Sequence, residues 1–346
     1  MNKVCVIGHF GFGEELLNGQ TVKTKIITKE LKKQFGTDEI SVIDTHGGKK
    51  EIFKLIFNIH QAIKKSKNII MMPAQNGVQF FSPLLYFCNY FYHKRIHYVV
   101  IGGWLPELLE KKTWLKKYLK KFYGIYVETN TMKLALEKQG FKNIYIMANC
   151  KELHILKDNE LIFSYAEPYK LCTFSRVMKQ KGIEDAIEAV IQVNNKMGKV
   201  IFSLDIYGQI DSEQIEWFKD TMKNVPTYIN YCGEVPFDKS TDVLRDYFAL
   251  LFPTYYFGEG FAGTLIDALA VGIPVVASDW RYNPDIVKEN KTGYIFKTKD
   301  LQDFQSKLME LYKEKEFWIH NKKSILSTAN EYLPCNVIKT LLNQLD

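Results

Sequence analysis

The sequence predicts an α/β protein with two doubly wound, Rossmann-like domains that face a central cleft. The chain has 346 residues, which is more than one hydrophobic core usually holds. Short apolar runs alternate with helical patterns, as in parallel sheets with helical crossovers, and this alternation restarts after residue 164. The predicted domains are therefore residues 1–164, joined by a C-terminal helix at 331–346, and residues 165–330.

The first series of elements begins with an apolar run that ends in glycine, followed by a glycine-bearing loop, His9–Gly19. A helical pattern then runs from Val22 to Leu31 and stops at Gly36. Three further buried strands are predicted at Ile40–Ile43, Asn68–Met72 and Tyr98–Ile101. Ligands of open parallel sheets bind beyond the carboxyl ends of the strands, so the loops there are the first places to search for chemistry.

The second series repeats the alternation after residue 164. Its predicted strands are Lys170–Phe174, Phe202–Tyr207, Tyr228–Cys232, Leu250–Phe252 and Val275–Ala277. Its predicted helices are Ile183–Val193, Val243–Phe248 and Leu265–Ala270. Two such series in one chain favour two sheets rather than one large sheet.

Composition is that of an ordinary soluble protein, with 46% hydrophobic and 25% charged residues. The six cysteines lie far apart and lack metal-ligand spacing, which is typical of a reducing compartment. The apolar run at the N-terminus is too short for a signal peptide, and no stretch approaches the roughly 20 apolar residues of a membrane helix. We expect a cytoplasmic protein.

The net charge of +7 is unevenly distributed along the chain. Residues 1–150 carry 23 basic and 11 acidic residues (+12), whereas the remainder carries 23 basic and 28 acidic residues (−5). The first half is therefore expected to meet something anionic. No helix-turn-helix, zinc-finger or RNA-binding signature is present, so we expect no nucleic-acid partner.

The segment from Phe257 to Asp279 is the most informative part of the sequence. A predicted strand ends before it, a glycine-rich loop follows, and a helix begins near Gly263 or Thr264. The N–H groups at a helix start can bind an anion. Glu259 and Asp267 could accept hydrogen bonds from hydroxyls of one extended ligand, such as a nucleotide-sugar. Alternatively, Glu259 only complements the helix dipole.

A second strand–loop–helix segment, Leu171–Gly182, places Arg176 and Lys181 at a carboxyl end of the same predicted sheet. Arg can give two parallel hydrogen bonds to phosphate, and Lys supplies a point charge. Both could neutralise a diphosphate whose bond to a sugar is breaking. As isolated residues, they would be solvated surface charges.

Together these segments resemble the retaining glycosyltransferases of family 4, which have the GT-B fold. The resemblance rests on five segments in order: Ser175–Gly182, Leu204–Gly208, Cys232–Pro236, Glu259–Asp267 and Gly272–Asp279. It implies that Arg176 and Lys181 hold the donor diphosphate and that Asp267 binds the ribose. The implied contacts to the donor sugar come from Glu259 and the backbone of Gly260, Phe261 and Ala262. The backbone near Val235 is implied to read the base, and Gly208, Gly263 and Thr264 complete the expected donor site.

The first half resembles the family more loosely. Gly8–Gly13 and Asn18–Thr21 resemble its glycine loop, which places Gly19 and Gln20 near the donor phosphates or the acceptor. A tight strand-to-helix connection is the alternative. Acceptor-side candidates follow two other predicted strands: Gln75, Asn76, Gly102, Gly103 and Trp104.

Three departures from the family pattern bear on function. The second member of the carboxylate pair is Asp267 instead of Glu, one methylene shorter. Trp280–Asp285 stands where a glycine pair followed by Glu is common in the family. Ile101 occupies the position of an active-site His, and none of the seven histidines is an obvious substitute; His97 is expected to have a core or surface role.

We therefore expect an enzyme that transfers a glycosyl group from a UDP- or GDP-linked sugar to a glycan or lipid-linked acceptor in surface polysaccharide assembly. The resemblance implies retention of anomeric configuration. No acidic metal-binding DxD motif occurs, so no metal or other cofactor is expected. Two alternatives stay open: another GT-B enzyme, such as a nucleotide-sugar epimerase or a sugar-phosphate-forming transferase, and a catalytically silent nucleotide-sugar-binding protein.

Three segments of the first half suggest peripheral contact with an anionic membrane at its inner face. Residues 49–67 and 111–121 are basic with a helical pattern, and residues 80–92 are rich in aromatic side chains. Lys and Arg are attracted to anionic leaflets, and Trp and Tyr anchor at the interface. Solvated lysine-rich helices packed on the sheet are the alternative.

Overall fold

A computed structural model describes residues 2–13, 19–46 and 52–345. Two predicted features lie partly outside these residues: Asn18 of the glycine loop, and residues 49–51 of the first basic segment. The described residues form two compact units. Unit 1 comprises residues 1–152 and 332–346, and unit 2 comprises residues 153–331. The sequence-based boundary between residues 164 and 165 thus lies within unit 2.

The first twelve elements alternate between strand and helix, except for one pair of consecutive helices after the fourth strand. The strands are β1 (Asn2–Gly8), β2 (Ile40–Asp44), β3 (Ser66–Met72), β4 (Arg95–Val99), β5 (Gly124–Val127) and β6 (Ile144–Ile146). The helices are α1 (Gly19–Phe35), α2 (Ile52–Lys65), α3 (Gln75–Cys88), α4 (Leu105–Lys111), α5 (Lys116–Leu119) and α6 (Asn130–Lys138). A 3₁₀ turn at Thr113–Leu115 separates α4 from α5.

The second series begins at residue 169. Its strands are β7 (Tyr169–Phe174), β8 (Phe202–Tyr207), β9 (Ile229–Gly233), β10 (Ala249–Phe252), β11 (Val275–Ser278) and β12 (Gly293–Phe296). Its helices are α7 (Ile183–Met197), α8 (Ile215–Met222), α9 (Ser240–Leu244), α10 (Gly263–Ala270), α11 (Asn283–Ile286), α12 (Leu301–Lys313), α13 (Lys315–His320) and α14 (Lys322–Ala329). Two short helices, α15 (Pro334–Val337) and α16 (Lys339–Leu342), follow in unit 1.

Both sheets are parallel and six-stranded. The strand order is β2-β1-β3-β4-β5-β6 in unit 1 and β12-β11-β10-β7-β8-β9 in unit 2. In unit 1 the order reverses between β1 and β3, and in unit 2 it reverses between β10 and β7. Such reversals are the switch points at which doubly wound sheets bind ligands. The predicted fold class, two Rossmann-like α/β domains, is therefore confirmed.

The unit 1 core forms around strands whose residues are apolar on both faces. Val4, Val6 and Ile7 of β1 are fully buried, as a central parallel strand requires. Ile27 and Leu31 of α1 pack in the same cluster, which also contains four residues of the C-terminal segment: Val337, Ile338, Leu341 and Leu345. The last fifteen residues thus complete the first core, as two short helices rather than one.

Two elements are shifted along the chain by two to four residues from the sequence-based expectation. The fourth strand of unit 1 is Arg95–Val99, earlier than the predicted Tyr98–Ile101, because the chain leaves the sheet to reach Gly102, whose φ is +86°. The helix predicted at Val243–Phe248 is Ser240–Leu244. Among the described residues, no helix is both long enough and apolar enough to cross a membrane.

Candidate functional site in unit 2

The loop after β7 carries Arg176 and Lys181 to the switch point of unit 2. A 3₁₀ turn at Lys179–Lys181 ends at Gly182, which has a φ of +71° and precedes α7. A Cβ at Gly182 would lie 2.2 Å from the carbonyl oxygen of Pro253. Only glycine permits this approach, so Lys181 lies beside the chain leaving β10.

The loop after β10 brings Glu259 to the same place. The Glu259 N–H donates to the Tyr256 carbonyl at 3.0 Å, forming a turn before α10. The Tyr255 N–H donates to the Gln180 carbonyl at 2.8 Å, which ties this loop to the one after β7. Two loops 78 residues apart in sequence are thus joined because their strands are neighbours.

Lys181 and Glu259 form an ion pair that is largely shielded from water. Lys181 Nζ lies 2.6 Å from Glu259 Oε2, and the two side chains are only 12% and 9% exposed. Thr254 Oγ1 donates to the same carboxylate oxygen at 2.8 Å. A cation and a carboxylate are therefore held side by side, which is chemically complementary to a ligand that carries both an anion and hydroxyl groups.

A pocket of about 330 Å³ opens over this pair. Its wall combines groups from both loops and from the start of α10. The predicted donor-site residues in the wall are Arg176, Lys181, Glu259, Ala262, Gly263 and Thr264; the others are Phe174, Ser175, Met178, Phe252 and Tyr256. Arg176 is 60% exposed, with Nη1 3.7 Å from Asp211 Oδ2, so its guanidinium can reorient towards a ligand.

The start of α10 adds a third source of positive potential to the pocket. Its N-cap is Ala262, and within the part of the chain that the structure describes no side chain caps this helix. The hydroxyl oxygen of Thr264 is buried and has no hydrogen-bond partner among residues 2–13, 19–46 and 52–345. N–H groups at a helix start and the helix dipole both favour an anion. Two cationic side chains, Arg176 and Lys181, and the start of a helix therefore line one concave surface.

Five predicted donor residues of unit 2 do not line this pocket: Gly208, Val235, Gly260, Phe261 and Asp267. The other two predicted donor residues, Gly19 and Gln20, belong to unit 1. Phe261 and Asp267 are buried, 7% and 3% exposed. Gly208 has a structural reason to be glycine, since a Cβ there would lie 1.8 Å from the Ser175 carbonyl oxygen. Its φ of +131° and its N–H bond to the Gly233 carbonyl (2.8 Å) fix the end of β8 beside the Arg176 loop.

Trp280 and Arg281 belong to the segment that differs from the family pattern, and both support the loop that carries Glu259. The Trp280 indole N–H donates to the Tyr256 carbonyl at 2.8 Å. The Arg281 guanidinium lies 4.5 Å from the centre of the Phe257 ring, in a cation–π contact. The segment after β11 therefore braces the segment after β10, a role that the sequence did not predict.

The loops of unit 1

The acceptor-side candidates lie at the carboxyl ends of β3 and β4. Gln75 and Asn76 are exposed at the start of α3. Gly102 and Gly103 follow β4, and the Trp104 indole donates to the Ile101 carbonyl at 2.8 Å. This bond fixes Trp104 over Gly102, where a Cβ would lie 3.2 Å from the indole ring.

Gly19 and Gln20 begin α1, at the switch point between β1 and β3. Gln20 Nε2 lies 3.5 Å from the Met72 carbonyl, linking the start of α1 to the end of β3. These two residues are thus near the β3 loop that carries Gln75 and Asn76. The structure brings the four residues to one edge of the sheet and leaves their ligand a prediction.

Two histidines at this edge were not identified from the sequence. His9 follows β1 and His46 follows β2; His9 Nε2 lies 3.1 Å from His46 Nδ1, and His9 Nδ1 lies 2.8 Å from Thr21 Oγ1. Each follows a strand end, which is the signal that could have found them. His97, by contrast, is completely buried.

Asp44 organises the loop beside these histidines. Its carboxylate accepts hydrogen bonds from the N–H groups of Phe10, Phe12 and His46, each at 2.9 Å. Partial burial alone would raise the pKa of Asp44, but the backbone N–H donors outweigh it and lower the pKa. The ionised carboxylate therefore acts as a fixed anchor for residues 10–12.

Comparisons with known proteins

The fold and the site define a class: a protein with two Rossmann-like units, one of which has a pocket lined by two cationic side chains, a carboxylate and the start of a helix. Residues 168–314, which include the whole pocket, match the family described as glycosyl transferases group 1. The match and the fold together support a glycosyltransferase.

Particular relatives agree with this class. The chain is 26% identical over 158 residues to the GtfA subunit of a UDP-N-acetylglucosamine–peptide N-acetylglucosaminyltransferase from Streptococcus pneumoniae, covering 43% of this chain and 30% of that protein. It is 25% identical over 196 residues to a poly(ribitol-phosphate) alpha-N-acetylglucosaminyltransferase from Staphylococcus aureus, covering 55% and 37%. The chain thus matches about a third of the length of these curated relatives.

A solved structure extends the likeness to both units. HepE of Anabaena, in complex with UDP, superposes with a TM-score of 0.74 at 11% identity, covering 100% of this chain and 99% of that one. The chain therefore has the predicted GT-B fold.

Proposed function

We propose that this protein transfers a glycosyl group from a nucleotide-sugar to a glycan or lipid-linked acceptor. The observation that carries the proposal is the convergence of Arg176, Lys181, Glu259 and the start of α10 on one pocket of unit 2. A nucleotide-sugar presents a diphosphate next to a hydroxyl-bearing ring, and the pocket presents cations next to a carboxylate.

The chemistry follows from these groups. As the bond between the sugar and the diphosphate breaks, negative charge grows on the leaving phosphate. Arg176 and Lys181 would stabilise that charge, as would the N–H groups at Gly263 and Thr264. Glu259 would accept hydrogen bonds from sugar hydroxyls and so orient the ring. These positive groups belong to the chain itself, which supports a transfer that needs no metal.

The finer assignments are part of the same proposal. The resemblance to family 4 supports retention of anomeric configuration and ribose binding by Asp267. The name of the pneumococcal relative, which includes UDP-N-acetylglucosamine, and the UDP bound in the Anabaena structure favour a uridine donor over a guanosine donor. The names of two matched enzymes, the poly(ribitol-phosphate) transferase and an amylovoran biosynthesis glycosyltransferase from Erwinia amylovora, favour an acceptor in a surface glycan or polymer. The place of transfer that we propose is the inner face of the cell membrane.

One experiment tests the proposed donor site. Arg176→Ala and Lys181→Ala should each reduce turnover, measured by hydrolysis or transfer of UDP-linked sugars, on the order of 100-fold. Arg245→Ala is the matched control, because Arg245 also pairs with an acid on the surface of unit 2, with Nε 3.8 Å from Asp246. Near-normal turnover in both site variants would show that the donor binds elsewhere.

Two further measurements separate the alternatives. Activity should persist in EDTA; complete loss with recovery on adding magnesium or manganese would contradict the metal-free mechanism. Nuclear magnetic resonance of the product gives its anomeric configuration. An epimerised donor would indicate the epimerase alternative, whereas donor binding without any turnover would indicate a silent binding protein.

A further inference from the structure

The helices of unit 1 form two layers, one on each face of the sheet. The chain moves from β1 to β2 in one direction along the sheet, and from β2 through β3, β4 and β5 to β6 in the opposite direction. Crossovers between parallel strands are right-handed, so α1 lies on one face and α2 to α6 lie on the other. Helix α3 packs against both α2 and α5 within this second layer.

The outer side of this layer exposes large aromatic side chains. Phe53 and Phe57, one turn apart on α2, are 85% and 62% exposed. Phe87 at the end of α3 is 61% exposed, and Phe91 in the following loop is 82% exposed. Isolated exposed apolar residues are common, but several on one layer indicate an interaction surface.

Ring contacts connect the exposed rings of α3 to those of residues 113–121 through the largely buried Tyr118. The Phe87 ring lies 5.9 Å from the Tyr118 ring, and the Trp114 ring lies 6.1 Å from the Tyr118 ring. Tyr92, after α3, contacts His60 of α2 at 5.5 Å between ring centres, which extends the surface to α2. We call this surface, formed by α2, α3 with residues 89–92, and residues 113–121, the aromatic–basic face.

Exposed lysines lie on the same segments as these rings. Residues 52–123 contain twelve Lys or Arg residues and only two acids, Glu107 and Glu110. Lys54, Lys117, Lys120 and Lys121 are exposed, and within the described part of the chain none of these four forms an ion pair. The partner that fits must therefore be anionic and must accept inserted aromatic rings.

We propose that the aromatic–basic face docks on an anionic lipid bilayer. Lysines attract acidic headgroups over a Debye length, and aromatic side chains insert at the boundary between headgroups and acyl chains. An acidic protein would meet the lysines but would leave Phe53 and Phe91 without a matching environment. The inference goes beyond the proposed glycosyl transfer and does not depend on the donor site.

Cosedimentation of the full chain with vesicles tests this proposal. We expect binding to vesicles of phosphatidylcholine with 30% phosphatidylglycerol and none to pure phosphatidylcholine. Binding should fall on going from 0.1 M to 1 M salt, because the Debye length falls from about 10 Å to 3 Å. Failure to bind the anionic vesicles at 0.1 M salt would overturn the proposal.

Matched variants locate the surface. Replacing Lys116, Lys117, Lys120 and Lys121 by Gln should reduce binding at least tenfold. Replacing Lys25, Lys29, Lys32 and Lys33 of α1, on the opposite layer, removes the same charge and should have little effect. Equal losses from both sets would mean that net charge alone drives association, and the assignment of this face would be wrong.

The aromatic contribution is tested separately. The variant Phe53→Ser/Phe91→Ser should lose the binding that persists at 1 M salt, since burial of a ring is not screened. Phe317→Ser, which changes a 47% exposed residue of unit 2, is the control. Thermal unfolding of every variant should be unchanged, which would show that lost binding is not caused by misfolding. Because the assay measures vesicle binding, its result does not depend on whether glycosyl transfer is found. Persistent high-salt binding in Phe53→Ser/Phe91→Ser would exclude ring insertion.

Discussion

Removing the charge of Glu259 should separate sugar recognition from diphosphate recognition. In the Glu259→Gln variant, the side chain keeps its size and can still accept from Thr254, but it no longer pairs electrostatically with Lys181. At 2.6 Å and an effective dielectric constant near 20, the attraction between the two charges is about 6 kcal/mol before desolvation is subtracted. The net contribution of one hydrogen bond to a charged group is about 1.5–3 kcal/mol.

The Glu259→Gln variant should bind the nucleotide-sugar more weakly, whereas its affinity for the nucleoside diphosphate should not decrease. A nucleoside diphosphate competes with Glu259 for Lys181, so its affinity should stay the same or increase in Glu259→Gln. The nucleotide-sugar loses a charge-assisted bond to its hydroxyls, a loss of at least about 1.4 kcal/mol or tenfold. The dissociation constant of a UDP-linked sugar divided by that of UDP, both measured by calorimetry, should therefore increase about tenfold or more.

The control variant removes the same kind of Lys–Glu ion pair from a solvent-exposed position. Glu216→Gln disrupts an exposed pair with Lys219, whose side chains are 82% and 62% exposed, and should leave both affinities unchanged. Equal losses for UDP and the UDP-linked sugar in Glu259→Gln would refute the reasoning and give Glu259 a structural role.

Two other predictions concern a brace and a buried base. Trp280→Phe removes the indole N–H bond to the Tyr256 carbonyl and should raise the KM for the nucleotide-sugar several-fold without changing the affinity for UDP. Trp217→Phe, which removes an exposed hydrogen bond to Glu184, is the control. An unchanged KM in Trp280→Phe would show that this bond does not support the site. Burial, with a smaller effect of Arg95, lowers the pKa of His97 to about 3. Protonation therefore favours the unfolded chain, so this residue's contribution is complete above pH 6.5 and is lost as the pH falls towards 3. Between pH 7 and pH 4.5 the free energy of unfolding, measured by urea titration, should therefore fall by about 2–3 kcal/mol less in His97→Gln than in the wild type. An equal fall in the two proteins would contradict the burial argument.

Much of this architecture could be predicted because strand and helix patterns are local. The run Phe202–Tyr207 was predicted to the residue, and α10 begins at Gly263 as expected. Arg176, Lys181 and Glu259 could be selected because each follows a strand in a loop before a helix. Their common location at carboxyl strand ends follows from the rule for parallel sheets.

What could not be predicted depends on which strands are neighbours. The pairing of Lys181 with Glu259 requires β7 and β10 to be adjacent, and neither periodicity nor composition encodes strand order. The same holds for His9 and His46, which meet only because β1 lies beside β2. Trp280 was noticed as a departure, but its contact with Tyr256 depends on the spacing between two loops.

The return of residues 332–346 to unit 1 has a consequence for synthesis on the ribosome. Unit 2 is an insertion between two parts of unit 1, and its own sequence is continuous from Leu153 to Glu331. Unit 2 can therefore acquire all its strands while the core beneath α1 still lacks Val337, Ile338 and Leu341. Unit 1 is therefore the first unit whose translation begins and the last to be complete. Until residues 337–341 arrive, the apolar side chains that they cover stay exposed, which is the kind of surface that makes incomplete chains prone to aggregate.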